Sequence, residues 1–571
     1  MCVLQRTKRR KGIMLHNITK RQKLIVMLSV MSALLLVALD QTIIATALGA
    51  IVKEFNSYSS LGFVITAYML TSTVTVPLAG KLSDMFGRRP LLIIGVAIFT
   101  IGSLLSGMAP SIEWLIAWRA LQGIGGGIIT ANAFTIVGDL FSPRERGKWQ
   151  GLIGAVFGMS SVIGPLLGGW LTDGQTIFGL TTNWRWTFLI NVPVGIVAAL
   201  LIARYTPQTK HEGVHTPDYL GAAFITVSLS ALVLAVDNTQ VVFNGLIENG
   251  LSLNFIKATL FVTFLLFGAA FIWVEKHAKQ PILPLRFFNK KTYSLMAIVS
   301  VLFGAAFLGV ILYLTQFNQQ VFGATASQAG LMLLPMVGGL MVSSIAIGQL
   351  IAKTGKYKRF IAIGLGMAAI SILALITLQS DSPYWHQAVI MAFAGLGLGM
   401  AMPILSLAVQ NEFEQKDLGA ATSSVQLFRG LGSTVGTAIF SGILTAGILT
   451  AIGDPNNIPY IQTLKVSPAA SQVLQGDLDA DALLRINMAK SQIRDGAEQA
   501  FTNLPAPVAE AAKQKFESQQ QDFSTQVVDA FTKSLHNIFM IASLLMVLAF
   551  VTILFLEEKK LRDTQHMAPT E

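Results

Sequence analysis

The sequence predicts an all-α integral membrane protein with 14 transmembrane helices: two pseudo-repeated six-helix bundles plus two inserted central helices. Three observations lead there. Apolar residues gather into runs of roughly 20 that are nearly free of charge, the length a helix needs to cross a bilayer. Charged residues make up 12% of the 571-residue chain and hydrophobic residues 53%, with a mean hydropathy of +0.61. A soluble domain carries roughly 25% charged residues, so a soluble enzyme, a disulfide-stapled secreted scaffold and a disordered chain are all excluded. Finally, a glycine-punctuated basic turn occurs twice, 268 residues apart.

The runs, in order, place six helices near 24–48, 61–80, 91–108, 112–140, 148–171 and 185–203. Two more follow near 219–236 and 255–275, and the last six near 293–316, 327–352, 360–378, 386–410, 418–449 and 536–556. Barrel strands would be about ten residues long and alternate in polarity, so helices are preferred. The expected organisation is a basic N-terminus (1–23), an N-terminal bundle (24–203), two inserted helices with their linkers (204–292), a C-terminal bundle (293–556) and a tail (557–571).

Charge orients these spans. Basic residues recur in alternate connections: the N-terminus with Lys8–Lys11, then Lys81/Arg88/Arg89, Arg144/Arg146/Lys148, Arg204/Lys210, Lys276 to Lys291, Lys353 to Arg359, and Lys559 to Arg562. Because Lys and Arg gather on the cytoplasmic side, both termini are expected there, in a cytoplasmic (inner) membrane. An even number of spans follows. The net charge of +11 is explained by the same rule, with no nucleic-acid partner implied. No cleavable signal peptide is evident, since the first apolar segment is too long for one. The single cysteine, Cys2, and seven scattered histidines offer no disulfide, metal or cofactor site.

One connection is long. Residues 451–534 form an 84-residue polar segment on the outer side with ten acids and seven bases. Its stretches Ala480–Ala500 and Val508–Ala530 are rich in Ala, Gln, Glu and Lys, which favour helix. A solvated helical hairpin and a cap over an outer opening are both open readings.

The repeat carries the functional argument. Gly80-Lys81-Leu82-Ser83-Asp84-Met85-Phe86-Gly87-Arg88-Arg89-Pro90 follows the second helix, and Gly348 to Tyr357 follows the tenth with both glycines and a leucine at the same spacing. Parallel halves around a mid-membrane site are a transporter architecture. Within the first half, Asp40 is the acid lodged well inside a span, and a membrane carboxylate is a functional hypothesis by default. At ~1.5 Å per residue it lies about 24 Å along its helix, and Arg119 lies about 10 Å below the outer end of the fourth. The two depths nearly match, so the pair can face each other. Burial favours a neutral acid and a nearby guanidinium favours the carboxylate, so a movement that alters either would load or release a proton. A permanent structural ion pair is the alternative.

Gly80–Pro90 resembles the signature loop of the major facilitator superfamily. Three further stretches are similar to its 14-helix drug:proton antiporter branch: Leu39-Asp40-Gln41-Thr42-Ile43-Ile44, Trp118 to Gly127, and Gly164-Pro165-Leu166-Leu167-Gly168-Gly169. The likeness spans residues 20–450 and the last helix and omits the long outer segment. It implies proton coupling through Asp40 and Arg119. It also implies a cytoplasmic gate at Gly80, Asp84, Gly87, Arg88 and Arg89, with Arg144 as neighbour, that holds the inside shut in one state. Ala352 replaces Asp84 in the second copy, so no equivalent latch is expected there. Gly164, Pro165, Gly168 and Gly169 match the antiporter motif, so export rests on the resemblance.

The implied function is proton-coupled export of small amphipathic drugs or toxic compounds by alternating access, with protons and the bilayer as the other partners. Gln41, Thr42, Gln122, Asn132, Gln316, Gln410 and Arg429 are candidates to line the path, although interhelical hydrogen bonding explains such residues equally. Helices 9–14 hold no acid at mid-membrane, which favours neutral or singly charged substrates. No phosphate-binding GxxxxGK[ST] loop is present, so the chain reads as neither an ATP-driven pump nor an enzyme. The long outer segment argues against a periplasmic adaptor. A dedicated exporter of one metabolite (a siderophore, amino acid or antibiotic) and a membrane receptor are the alternatives.

Overall fold

The computed structural model describes residues 19–561 apart from 56–60, 173, 175, 178, 208–217, 237–238, 380, 467–477, 479 and 502–504. Cys2, Lys8–Lys11, Lys210 and Arg562 lie outside the described residues. Among those described, 14 helices are long and apolar enough to cross a membrane. In the N-terminal half they are α1 (Lys20–Phe55), α2 (Leu61–Phe86), α3 (Arg88–Gly107), α4 (Ile112–Leu140), α5 (Pro143–Thr172) and α6 (Trp186–Tyr205). The inserted pair is α7 (Tyr219–Val236) and α8 (Leu253–His277). The C-terminal half comprises α9 (Lys291–Gln320), α10 (Leu334–Thr354), α11 (Lys358–Ala374), α12 (Tyr384–Glu412), α13 (Leu418–Ile452) and α14 (Ala506–Leu554).

Several helices are longer than their apolar runs because polar ends continue the same hydrogen-bond ladder. Pro143 opens α5, and a proline in the first turn loses nothing because its N–H would have no partner there. Arg144 and Arg146 are therefore helical residues and not loop residues. Gly87, at φ +94°, makes the turn from α2 to α3, so Arg88 and Arg89 form the first turn of α3. The expected tenth span is broken: a short helix, Ala326–Met332, precedes α10, and Pro335 stands in the first turn of α10.

The largest correction concerns the outer segment. The expected span at 536–556 is the apolar end of a longer helix, for α14 starts 30 residues earlier, at Ala506, and runs unbroken for 49 residues. After Pro507 this stretch has neither glycine nor proline, so nothing interrupts helix where apolar residues replace polar ones. Helices Pro459–Val466, Ala480–Met488 and Lys490–Phe501 complete the segment. Buried polar contacts tie it to the bundle: Asn487 Nδ2 donates to Gln320 Oε1 at the end of α9 (3.0 Å), and Ser524 Oγ of α14 donates to Asn487 Oδ1 (2.8 Å).

Each half buries its own apolar core. One centres on Val30, Leu34, Phe99, Phe134 and Val137, the other on Phe303, Leu314, Leu365, Leu398 and Phe539. The inserted helices pair through Ser228 Oγ, which donates to the Phe264 carbonyl (2.9 Å). They rest on α2 and α13 through Ile225, Leu229 and Phe271 against Val74 and Leu427.

Both described ends of the chain lie on one face. Lys23 Nζ sits over the Phe141 ring in the α4–α5 turn, and Leu561 N donates to the Gly355 carbonyl in the α10–α11 turn (2.9 Å). These turns carry the clustered Lys and Arg residues, and this side is called the basic face below.

Candidate functional site

Asp40 is buried midway along α1, and three helices converge on it. Arg119 of α4 pairs with Asp40 Oδ2. On the other oxygen, Gln122 Nε2 donates to Oδ1 at 2.8 Å, and Asn191 Nδ2 of α6 lies 3.4 Å away. The spacing of Arg119 and Gln122 explains their cooperation, since residues three apart share a helix face. Arg119 also donates to Gln122 Oε1 (2.8 Å) and, through Nε, to the Val64 carbonyl of α2 (3.3 Å). Its plane lies over Tyr68, 4.4 Å from the ring centroid, and Phe188 approaches at 5.6 Å. Asn191 is held in turn by Ser103 Oγ of α3 (3.0 Å), which donates to the Phe188 carbonyl.

The glycines of α4 let this cluster form. A Cβ on Gly123 would collide with Tyr68 and Thr71 of α2, and Thr71 Oγ1 donates to the Ala120 carbonyl at 2.8 Å. Close approach of α2 to α4 brings the Tyr68 face against Arg119. The arrangement is a buried carboxylate whose charge is balanced by one guanidinium and by amide donors from two further positions. Removing either charge would leave the other buried and uncompensated.

A second charged cluster closes the basic face between the halves. Arg88 pairs with Asp84 and, at 2.7 Å, with Asp139 of α4, and it also contacts Ser83. Asp84 then crosses to the C-terminal half: its oxygens accept from Gly419 N (3.0 Å) and Ala420 N (2.8 Å) at the start of α13. A carboxylate there satisfies orphan N–H groups and the positive end of the helix dipole. Gly80 permits the approach, since a Cβ would strike Ser423. Nearby, Arg146 donates to the carbonyls of Gln410 in the opposite half (3.1 Å), Gly138 (2.7 Å) and Phe141 (3.1 Å). Gln410 Nε2 reaches back to the Phe134 carbonyl at 3.0 Å.

Other predicted residues fall elsewhere. Arg144 is exposed and lies beside the Gly355 turn of the opposite half; Arg146, two residues on, makes the buried crossing. Arg89 donates to the Ala203 carbonyl near the end of α6, within its own half. Thr42 Oγ1 donates to the Ser160 carbonyl (2.9 Å), and Gly164 packs on Thr42, which binds α1 to α5. Pro165 faces Gly330; Gly168 is buried and Gly169 half-buried. Gln41 is exposed, Asn132 is buried with Nδ2 on the Ile128 carbonyl, and Gln316 Oε1 is buried without a partner. Arg429 of α13 lies against the rings of Phe134 and Phe157 across the seam between halves.

Comparison with known proteins now decides the family. A family model described as Major Facilitator Superfamily matches residues 30–437. The chain belongs to the major facilitator superfamily. It is 38% identical over 446 residues to a multidrug transporter protein, MdtP, of Bacillus subtilis, covering 78% of this chain and 79% of that one. It is 32% identical over 542 residues to multidrug resistance protein 3 of the same organism, covering 95% and 96%. Among solved structures it is similar to the human organic anion transporter MFSD10 (TM-score 0.58, 14% identity, 94% of this chain and 100% of that one). A bacterial homologue of the lysosomal transporter Spinster, in an inward-facing conformation, gives 0.53 at 16% identity over 94% and 98%. The chain is thus a multi-pass membrane transporter of small molecules with the facilitator fold.

Sequence reasoning missed Tyr68, Ser103, Asp139 and Arg146 as members of these clusters. Asp139 and Arg146 carried a signal, a charge at a helix end, but there it reads as ordinary topology. A tyrosine or serine within an apolar run carries none.

Proposed function

We propose that the protein is a proton-coupled antiporter that exports small amphipathic compounds across the cytoplasmic membrane by alternating access. The basic face is cytoplasmic in this reading, following the distribution of Lys and Arg, and both described ends of the chain lie on that side. The observation that carries the proposal is Asp40: a buried carboxylate balanced by Arg119, Gln122 and Asn191. A membrane acid so placed is poised to hold a proton in one state and an ion pair in another. The closure of the basic face by Asp84 on the α13 N-terminus supports a state shut toward the cytoplasm. Inward release of a proton would have to be coupled to breaking that closure.

Proton entry down 100 mV supplies about 2.3 kcal/mol per charge, enough to bias export. The names of the Bacillus relatives favour drugs as substrates, and no periplasmic adaptor is required by the reading.

The test is a panel of cationic, neutral and anionic fluorescent amphiphiles given to the reconstituted full chain in inside-out proteoliposomes. An acid lumen should drive accumulation of several unrelated compounds, and a protonophore should abolish it. Accumulation indifferent to the gradient would refute proton coupling. Response to one compound alone would point to a dedicated metabolite exporter.

A further inference from the structure

Half-buried Arg429 stands apart from the buried guanidinium groups. Arg88 is met by Asp84 and Asp139, Arg119 by Asp40, Gln122 and a carbonyl, and Arg146 by three carbonyls. Among the described residues, the Arg429 side chain has no hydrogen-bond or carboxylate partner, and its guanidinium lies near two aromatic rings. Its Cζ lies 5.5 Å from the Phe134 centroid on α4 and 5.9 Å from that of Phe157 on α5. Those rings stack on each other at 6.4 Å.

The position is fixed and deep. Arg429 follows the start of α13 by eleven residues, about 17 Å at ~1.5 Å per residue, too far for its head to reach the interface. Its backbone is held where α9 comes close at Gly304, with Ser433 Oγ donating to the Gly304 carbonyl at 3.0 Å. No Asp or Glu occurs in α9, α10, α11 or α13, and Glu412 ends α12. One turn toward the basic face, Gln426 keeps its Oε1 buried without a partner. A cation in this setting is costly unless something neutralises it.

We propose that Arg429 is a substrate-recognition residue selecting amphipathic monoanions, an aryl carboxylate or sulfonate whose charge meets the guanidinium and whose ring lies against the half-buried Phe157. The planar fork suits such an anion in two-pronged contact, and stacked aromatic faces suit a flat apolar body. A dication is repelled. The inference rests on the proton-antiport reading and adds a consequence to it. Exporting a monoanion in exchange for one proton moves charge in the same sense twice, so a membrane potential alone drives it. Exchanging a monocation for one proton moves no net charge.

The experiment uses the reconstituted full chain with an anilinonaphthalene sulfonate as the anionic probe and ethidium as the cationic one. Fluxes are compared under a pH gradient alone and under a potassium–valinomycin potential alone. Wild type should move the sulfonate under either force. Arg429→Gln should slow it by roughly tenfold or more while sparing ethidium, and Arg429→Lys should keep part of the sulfonate flux. Wild type that moves ethidium but not the sulfonate overturns the anion site and leaves antiport standing. Sulfonate flux unchanged in Arg429→Gln overturns it too. If neither probe responds to either force, the antiport reading fails, and the anion site falls with it.

Discussion

Asp84 does two things at once. It neutralises Arg88 within its own half and caps α13 in the other, accepting from Gly419 N and Ala420 N. A hydrogen bond to a charged group contributes about 1.5–3 kcal/mol, so Asp84→Asn should shift the balance between closed and open basic face by roughly tenfold to a hundredfold. The measurement is labelling of a Ser423→Cys reporter by a membrane-impermeant thiol reagent from the basic side, in a Cys2→Ser background. Faster labelling in the Asp84→Asn chain is expected; an unchanged rate would reduce the cluster to a structural one.

The pairing of Asp40 with Arg119 was legible at this scale because charges inside apolar runs are rare and their depths can be counted. The amide and backbone partners were not legible. Gln122 and Asn191 look like any interhelical hydrogen-bonding residue, and the Val64 carbonyl has no side-chain signature at all.

Between elements, contact depends on absent side chains. Gly348 of α10 faces Gly147 of α5, where a Cβ would lie within 2.9 Å of Lys148 Cα. Gly348→Val should force the two helices apart at a cost of about 1–3 kcal/mol, seen as lower thermal stability in detergent and a leakier basic face. Equal stability would mean the helices have room that the geometry denies.

The polar half of α14 makes a separate prediction. Ser518 is exposed within it, and a proline there should cost about 3 kcal/mol of helix. Ser518→Pro should bend the extension and increase its proteolysis while the span itself stays inserted. Both helical character and spans were readable from composition, but the fusion of outer segment and last span was not. Hydropathy marks where lipid begins, whereas a helix ends only where its backbone ladder is broken.

Across the whole molecule, the two halves share a repeat but not a chemistry. The 268-residue offset that takes Gly80 to Gly348 also takes Arg119 to Gln387. There the buried neighbour is Asn318, whose Oδ1 accepts from Gln387 Nε2 at 2.8 Å. A neutral amide pair thus occupies the second half where an ion pair occupies the first. In the proposed antiport the asymmetry leaves proton handling to the N-terminal bundle, while the C-terminal bundle supplies the helix N-terminus that Asp84 caps and Arg429. The two bundles meet at α2–α13 and α5–α10, the seam about which the proposed alternating access would rock them.

The most direct test follows proton and substrate together in proteoliposomes, comparing wild type with Asp40→Asn. The substitution preserves side-chain size but leaves Arg119 without its counter-charge, so insertion and substrate binding of the variant are measured alongside its transport. Substrate addition should dissipate an imposed pH gradient in wild type, and Asp40→Asn should move no protons against substrate. Exchange of substrate for protons at the wild-type rate by Asp40→Asn would contradict the account.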